Sequence, residues 1–394
     1  MPDTYYHGVR VIDTSDGARA IKTTETAVVA GVFTAPDADE TVFPLNELVL
    51  SAGNIDTYIA AAGVQGTLRK SLEAIKDQTD PLLIMVRVAE GVDDAETISN
   101  IIGTVTPEGK MTGIQAFLTA QNKFGFTGKI YGAPGWDHLD AVANELVQVA
   151  TKTRGFAYTG MLANTSAEAV AARANFGNKR HMLIWPDFIG WDTTTNSEII
   201  LAASARAMGI RAKIDLEQGW HKAISNEIVG GVSGLSKDVY WDQHTAVNDA
   251  NYLNEHEITT IIRHKGYRLW GSRTCSADAN EAFESFVRTG DVLARTIGDA
   301  NFWAIDKPMS RGLILDIIDS INAKLTDWTA RGYLLGGKCW IETGANAPEI
   351  VKGGKLTIKY NYTPVPPLEN LDLVQEMTDE YIVNLTEGIN NVAT

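Results

Sequence analysis

Seven histidines and two cysteines are the residues that could carry metal or nucleophilic chemistry, and their spacing supports neither. Cys275 and Cys339 are too few for a thiolate site of three or four ligands or for a disulfide framework. Neither sits in an activating motif, so both read as buried small apolar residues of a chain that folds under reducing conditions. Glu255-His256-Glu257 suggests a metal helix, but His264 lies eight residues on, off a shared helical turn. His244, His256 and His264 therefore read as solvated surface side chains. A Gly-x-Gly-x-x-Gly dinucleotide loop, a Gly-x-x-x-x-Gly-Lys-Ser/Thr phosphate loop and a Gly-x-Ser-x-Gly nucleophile elbow are all missing. The clusters Gly230-Gly231-Val232-Ser233-Gly234, Gly336-Gly337 and Gly353-Gly354 read as turns. Trp185, Trp191, Trp220, Trp241 and Trp270 read as packing residues, with a sugar-stacking platform as the alternative. No catalytic residue, cofactor or metal is expected.

At 394 residues, 44% hydrophobic and 21% charged, the composition is globular and long enough for two or three structural units. Thirty-four Lys and Arg against 49 Asp and Glu leave a net charge of -15, which disfavours nucleic acid and anionic membranes as direct partners. The densest apolar run, Pro81 to Val88, is under half of the ~18 residues a membrane span needs and contains Arg87. Met-Pro-Asp-Thr-Tyr-Tyr-His lacks the basic and apolar regions of a secretory signal, so export is not expected.

A short strand is predicted over His7–Ile12 and a second over Ala27–Phe33, then helix from Asn54 to Lys76 and strand from Leu82 to Val88. From Gly128 to Arg211 strands and helices alternate: Lys129–Ala133, Gly155–Leu162 and His181–Pro186 extended; Leu139–Thr151, Ala167–Ala174 and Ile199–Met208 helical. That alternation predicts a parallel sheet covered by helices. Beyond Gly266 two long amphipathic helices follow. The first puts Phe283, Phe286, Val287, Gly290, Ala294 and Ile297 on one face, with Glu284–Arg288 and Asp291–Arg295 as i,i+4 pairs outside it. The second carries an apolar stripe from Ile314 to Trp328 and stops at Gly332. Leu356–Tyr362 alternates with period two as a half-buried strand, and Tyr381, Val383 and Leu385 form a last extended segment.

Several strings, in order along nearly the whole chain, resemble the tail sheath proteins of contractile-tailed phages and of phage-tail-like bacteriocins such as R-type pyocins. They are Tyr6-His7-Gly8-Val9-Arg10-Val11, Thr34-Ala35-Pro36-Asp37-Ala38-Asp39, Phe43-Pro44-Leu45-Asn46, Tyr131-Gly132-Ala133-Pro134-Gly135 and Gly219-Trp220-His221-Lys222-Ala223-Ile224-Ser225-Asn226. The densest are Gly266-Tyr267-Arg268-Leu269-Trp270-Gly271-Ser272-Arg273-Thr274-Cys275-Ser276 and Tyr360-Asn361-Tyr362-Thr363-Pro364-Val365-Pro366-Pro367-Leu368-Glu369-Asn370-Leu371.

The resemblance implies an α/β protein with a discontinuous α+β core domain formed by the N- and C-terminal segments, an inserted α/β outer domain and extended terminal β arms. On this chain the core would be residues 1–26 and 264–394, and the outer insertion 27–263. It implies a non-enzymatic subunit that polymerises helically around an inner tail tube protein and contracts, in a virion tail or bacteriocin particle assembled in the bacterial host cytoplasm. Baseplate and tail terminator proteins would be further partners. Val9, Arg10, Val11 and Ile12 at one end, and Tyr381, Ile382, Val383 and Leu385 at the other, would be inter-subunit strands, since a lone terminal strand needs a host sheet. Arg311, Lys324 and Arg331 on the second long helix would face the tube; ordinary solvated side chains are the competing reading. The alternative from another class is a soluble α/β enzyme or ligand-binding protein whose site lies at the strand ends.

Overall fold

The structure, a computed structural model, describes residues 21–192, 194–379 and Ile382. Val9, Arg10, Val11, Ile12, Tyr381, Val383 and Leu385 lie outside the described residues.

β1 (Val28–Thr34) and β2 (Leu48–Ala52) precede α1 (Ile55–Ala61) and α2 (Leu68–Lys76), then β3 (Leu82–Val88), α3 (Asp94–Ile102) and the short α4 (Ala120–Phe124). β4 (Ile130–Gly132), α5 (Asp140–Thr153), β5 (Phe156–Thr159), α6 (Ser166–Arg173) and β6 (His181–Ile184) alternate as expected. β7 (Phe188–Asp192), β8 (Ser197–Leu201), α7 (Ala203–Glu217), β9 (Gly234–Leu235), α8 (Asp249–Glu255), β10 (Ile258–Arg263) and β11 (Tyr267–Trp270) complete a first unit. α9 (Glu284–Asn301), α10 (Arg311–Ala330), β12 (Leu334–Ile341), α11 (Pro348–Lys352) and β13 (Ile358–Pro364) build a second.

The first unit is organised on an eight-stranded sheet of order β11-β10-β6-β5-β4-β1-β3-β2, parallel in its interior with antiparallel edges β2 and β11. β1 is buried along its whole length, which is why it reads as an unbroken apolar run. Its side chains still divide by pleat. Val29 and Phe33 pack with Leu68, Leu72 and Met208 of α2 and α7, while Val28, Ala30 and Val32 pack with Ile101, Val142 and Leu146 of α3 and α5. Helices therefore cover both faces.

Three expectations are corrected. The helix expected over Asn54–Lys76 is two, because Gly63 and Gly66 between them take positive φ of 69° and 78°, and a Cβ on Gly66 would lie 2.3 Å from the Thr34 carbonyl oxygen. Ile199–Leu201 belong to β8, paired with β7, and helix begins only at Ala203; a short apolar run does not reveal its own period. Gly336 and Gly337 lie inside β12 rather than in a turn. The β10–β11 hairpin, which spans residues 258–270, gives the large sheet its edge strand.

Candidate self-assembly surface

The second unit is small, and its core explains its shape. The α10 stripe buries Ile317, Ile321, Leu325 and Trp328 against Leu334, Cys339, Tyr360 and Tyr362 of β12 and β13 and against Val292, Leu293 and Ile297 of α9. Ser310 starts α10 by accepting the Leu313 N–H at 3.1 Å, and Gly332 ends it with φ 76°. Trp220, from the loop after α7, enters this core edge-on to Trp328 and Tyr333, with ring centroids 5.8 and 5.0 Å away.

β12 and β13 form an antiparallel sheet of two strands, in register Cys339↔Tyr360, with no third strand among the described residues. A sheet of two is marginal unless it is packed or extended. One face is packed on α10. On the other, Lys338, Lys359 and Asn361 are exposed. The Asn322 side chain of α10 reaches the β12 main chain, accepting from the Cys339 N–H at 2.7 Å and donating to the Cys339 carbonyl at 3.0 Å.

After Pro364 the chain runs to residue 379 without regular secondary structure. Arg273 holds its beginning, donating from Nε and Nη2 to the two carboxylate oxygens of Glu369 at 2.9 and 2.5 Å. Beyond that clasp the apolar side chains Leu371, Leu373, Val374 and Met377 stand in water, the last two 95% and 94% exposed. Ile382 is exposed as well. Large apolar side chains exposed in succession make this segment a candidate contact surface.

Residues 103–275 match the family profile described as the phage tail sheath protein central domain, and residues 276–378 match the phage tail sheath C-terminal domain. The chain is 46% identical over 394 residues to the tail sheath protein of Escherichia phage P2, covering 98% of this chain and 99% of that one. The chain belongs to the phage tail sheath proteins. The major tail sheath protein of Serratia phage KSP20 is 41% identical, with 97% of each chain covered. In fold, the sheath protein matches a subunit of the contracted sheath of an extracellular contractile injection system, PVC, at TM-score 0.70 and 18% identity, covering 96% and 99% of the two chains. It also matches the helical sheath of the anti-feeding prophage in its contracted state, at TM-score 0.70 and 19% identity, covering 95% and 99%. The protein is thus a structural tail sheath subunit and a component of a contractile particle, not an enzyme; the soluble-enzyme alternative has no support.

Of the three basic residues singled out on α10, Arg311 is exposed at the N-terminal end. Lys324 is largely covered, its side chain 12% exposed, with Nζ 3.2 Å from Asp327 and 5.0 Å from the centre of the Trp328 ring. Arg331 is exposed and paired with the same Asp327 at 2.7 Å. The structure spreads the three along the helix.

The sheath protein's most concentrated charge lies where the sequence suggested solvent. Glu284, Arg288 and Asp291 of α9 are buried, because α9 runs between the two units. Glu284 accepts from Tyr158 of β5 and lies 3.3 Å from Arg211 of α7. Arg211 also binds Asp215 at 2.8 Å, and Arg288 pairs with Asp215. Asp291 pairs with Arg180 and with Arg154, at 3.5 Å from the latter, rather than with Arg295, which turns to Asp299 at 3.2 Å. Burial, together with the neighbouring Glu284 carboxylate, pushes the Tyr158 hydroxyl well above its ordinary value. Lys129 is pushed down to about 7 by burial and by nearby Arg295; its Nζ donates to Thr127 Oγ1 at 3.0 Å and to the Thr153 carbonyl at 3.2 Å. The Arg211–Asp215 spacing of four on α7 was the available sequence signal for this junction.

Proposed function

We propose that this sheath subunit polymerises as a helical sleeve around an inner tail tube protein and shortens to drive that tube through a target cell envelope. Copies are joined by strand addition: Val9, Arg10, Val11 and Ile12 at one end, and Tyr381, Ile382, Val383 and Leu385 at the other, enter the β12–β13 sheets of neighbouring copies. The observation that carries this reading is a two-stranded sheet followed in the chain by a segment whose apolar side chains are exposed among the described residues.

Charge supports it. From residue 365 onward the sequence carries Glu369, Asp372, Glu376, Asp379, Glu380 and Glu387 and no Lys or Arg, whereas residues 334–364 carry Lys338, Lys352, Lys355 and Lys359 against Glu342 and Glu349, with Lys359 paired to Glu342. Each net hydrogen bond of an added strand contributes about 0.5–1.5 kcal/mol, so one arm is worth a few kcal/mol and a sleeve of many arms is a mesh. The donating and receiving patches differ, so the contact is heterologous and generates an open helix.

In this reading residues 1–26 and 264–394 form the core beside the tube and residues 27–263 face outward. Arg311, Lys324 and Arg331 meet the tube through screened, breakable ion pairs, with Arg311 the least encumbered of the three. Baseplate and tail terminator proteins close the two ends of the sleeve, which assembles in the bacterial host cytoplasm without direct contact to nucleic acid or membrane. Shortening is a rigid-body rearrangement of subunits that needs no bound nucleotide. Electron microscopy of the purified full chain tests the reading: hollow tubular polymers are expected, and persistent small particles under assembly conditions would contradict it.

A further inference from the structure

The two edges of the β12–β13 hairpin are not equivalent. In an antiparallel pair, residues alternate between those whose N–H and C=O point at the partner strand and those whose groups point away. Both main-chain groups of Cys339 are taken by the Asn322 side chain, at 2.7 and 3.0 Å, so they point away from β13. The groups of Tyr360, opposite Cys339, then point away from β12. With a period of two, Gly337 and Ile341 turn outward on β12, and Ile358 and Tyr362 turn outward on β13.

On the β12 edge the middle position is filled by a primary amide, which offers the donor and acceptor that a neighbouring strand would offer. The helix that carries it packs against the same strand. The outward main-chain groups of Ile358, Tyr360 and Tyr362 on β13, like those of Gly337 and Ile341 on β12, have no hydrogen-bond partner among the described residues, so the edges differ at their middle position, which Asn322 occupies on β12 and nothing described occupies on β13.

We infer that strand addition in this sheath protein is one-sided: arms of neighbouring copies enter along β13, at Ile358, Tyr360 and Tyr362, and Asn322 closes the β12 edge. The inference rests on the reading that copies are joined by added strands. A hairpin with two open edges would accept an arm on either side and give a lattice of mixed connectivity, whereas one open edge fixes the order. A second arm then pairs with the first, so both lie beyond β13.

Ile341 and Ile358 face each other in register, which makes a matched pair of tests. Ile341→Pro and Ile358→Pro each remove one outward N–H and leave the bonds between β12 and β13 in place. The Ile341→Pro protein is expected to assemble at the wild-type critical concentration. The Ile358→Pro protein, folded as judged by circular dichroism, is expected to need about tenfold more protein or to form no sleeves, as the loss of a hydrogen bond from every contact implies. Assembly that is lost in Ile341→Pro and kept in Ile358→Pro, or equal in both, would overturn the inference.

Wild-type amide exchange gives a reading free of any folding defect. On assembly, the fragment holding Ile358, Tyr360 and Tyr362 is expected to gain protection, while the fragment holding Gly337 and Ile341 is not. Protection gained on the β12 fragment would sink one-sidedness alone. Sleeves that form with neither fragment protected would sink strand addition itself.

Discussion

Glu284 is the side chain on which the junction between the two units converges. It is fully buried and faces Tyr158, Arg211 and Arg288 at once. Glu284→Gln keeps the shape and removes the charge, leaving two guanidiniums to share Asp215. A loss of about 3–5 kcal/mol in urea unfolding is expected, the cost of breaking a buried pair by removing one partner. Within α9 itself nothing in the sequence distinguishes this from a surface pair: Glu284–Arg288 and Asp291–Arg295 have the i,i+4 spacing of solvated helices, and only the arrival of α7 and β5 makes the site dry. Asp137 gives a pH signature. Burial pushes its carboxyl up to about 6, against the pull of the N–H groups of Gly160 and Ala133, at 3.1 and 3.2 Å. The folded value lies above the unfolded one of about 3.9, so ionisation costs stability at neutral pH, and stability is recovered as pH falls through 6. His181 acts the other way: burial holds it down to about 3, and below about pH 6.5 the unfolded chain takes up a proton that the folded chain refuses. Asp187, the neighbouring carboxyl, is raised by burial, and His138 beside it is lowered by burial. All three remain in an Asp137→Asn variant, so the quantity to read is a difference. Between pH 7.5 and pH 5 the wild type is expected to gain about 1 kcal/mol more than the variant, and parallel pH curves would contradict this.

Among the elements, the hairpin packs on α10 and is tied to it at Cys339 by the Asn322 amide. Asn322→Ala leaves the Cys339 N–H and carbonyl without their partner, and a loss of about 1–3 kcal/mol is expected in thermal unfolding of the unassembled protein. An unchanged midpoint would mean that water or another group replaces the amide. The central strands and helices were legible in the sequence because parallel strands buried on both faces read as short apolar runs between amphipathic helices, as β1, β3 and α5 do. β12 was not. Its paired glycines look like a turn, yet Gly337 is small because a Cβ there would lie 2.9 Å from the Asn361 carbonyl oxygen and 3.2 Å from Leu325, a demand set by a helix and a strand distant in sequence. The Ile199 run failed for the opposite reason: β8 and α7 follow one another with only Ala202 between them, so two elements shared one apolar stretch.

At the scale of the molecule, an α/β unit and a small helix–hairpin unit are fixed to each other by buried charge. The chain leaves this body in an acidic, apolar segment clasped at Arg273. Membership of the tail sheath family was legible in ordered strings spread along the sequence; the surface proposed to receive the arms was not, since it depends on which main-chain groups of β12 and β13 are taken by side chains such as Asn322. We propose above that the chain ends are strands that complete a neighbouring copy's sheet. The direct measurement is electron microscopy of three purified proteins side by side: the full chain, the chain lacking residues 1–20, and the chain lacking residues 380–394. Hollow sleeves from the full chain and only small folded particles from both shortened chains are expected. Sleeves of ordinary length and order from either shortened chain would contradict the claim.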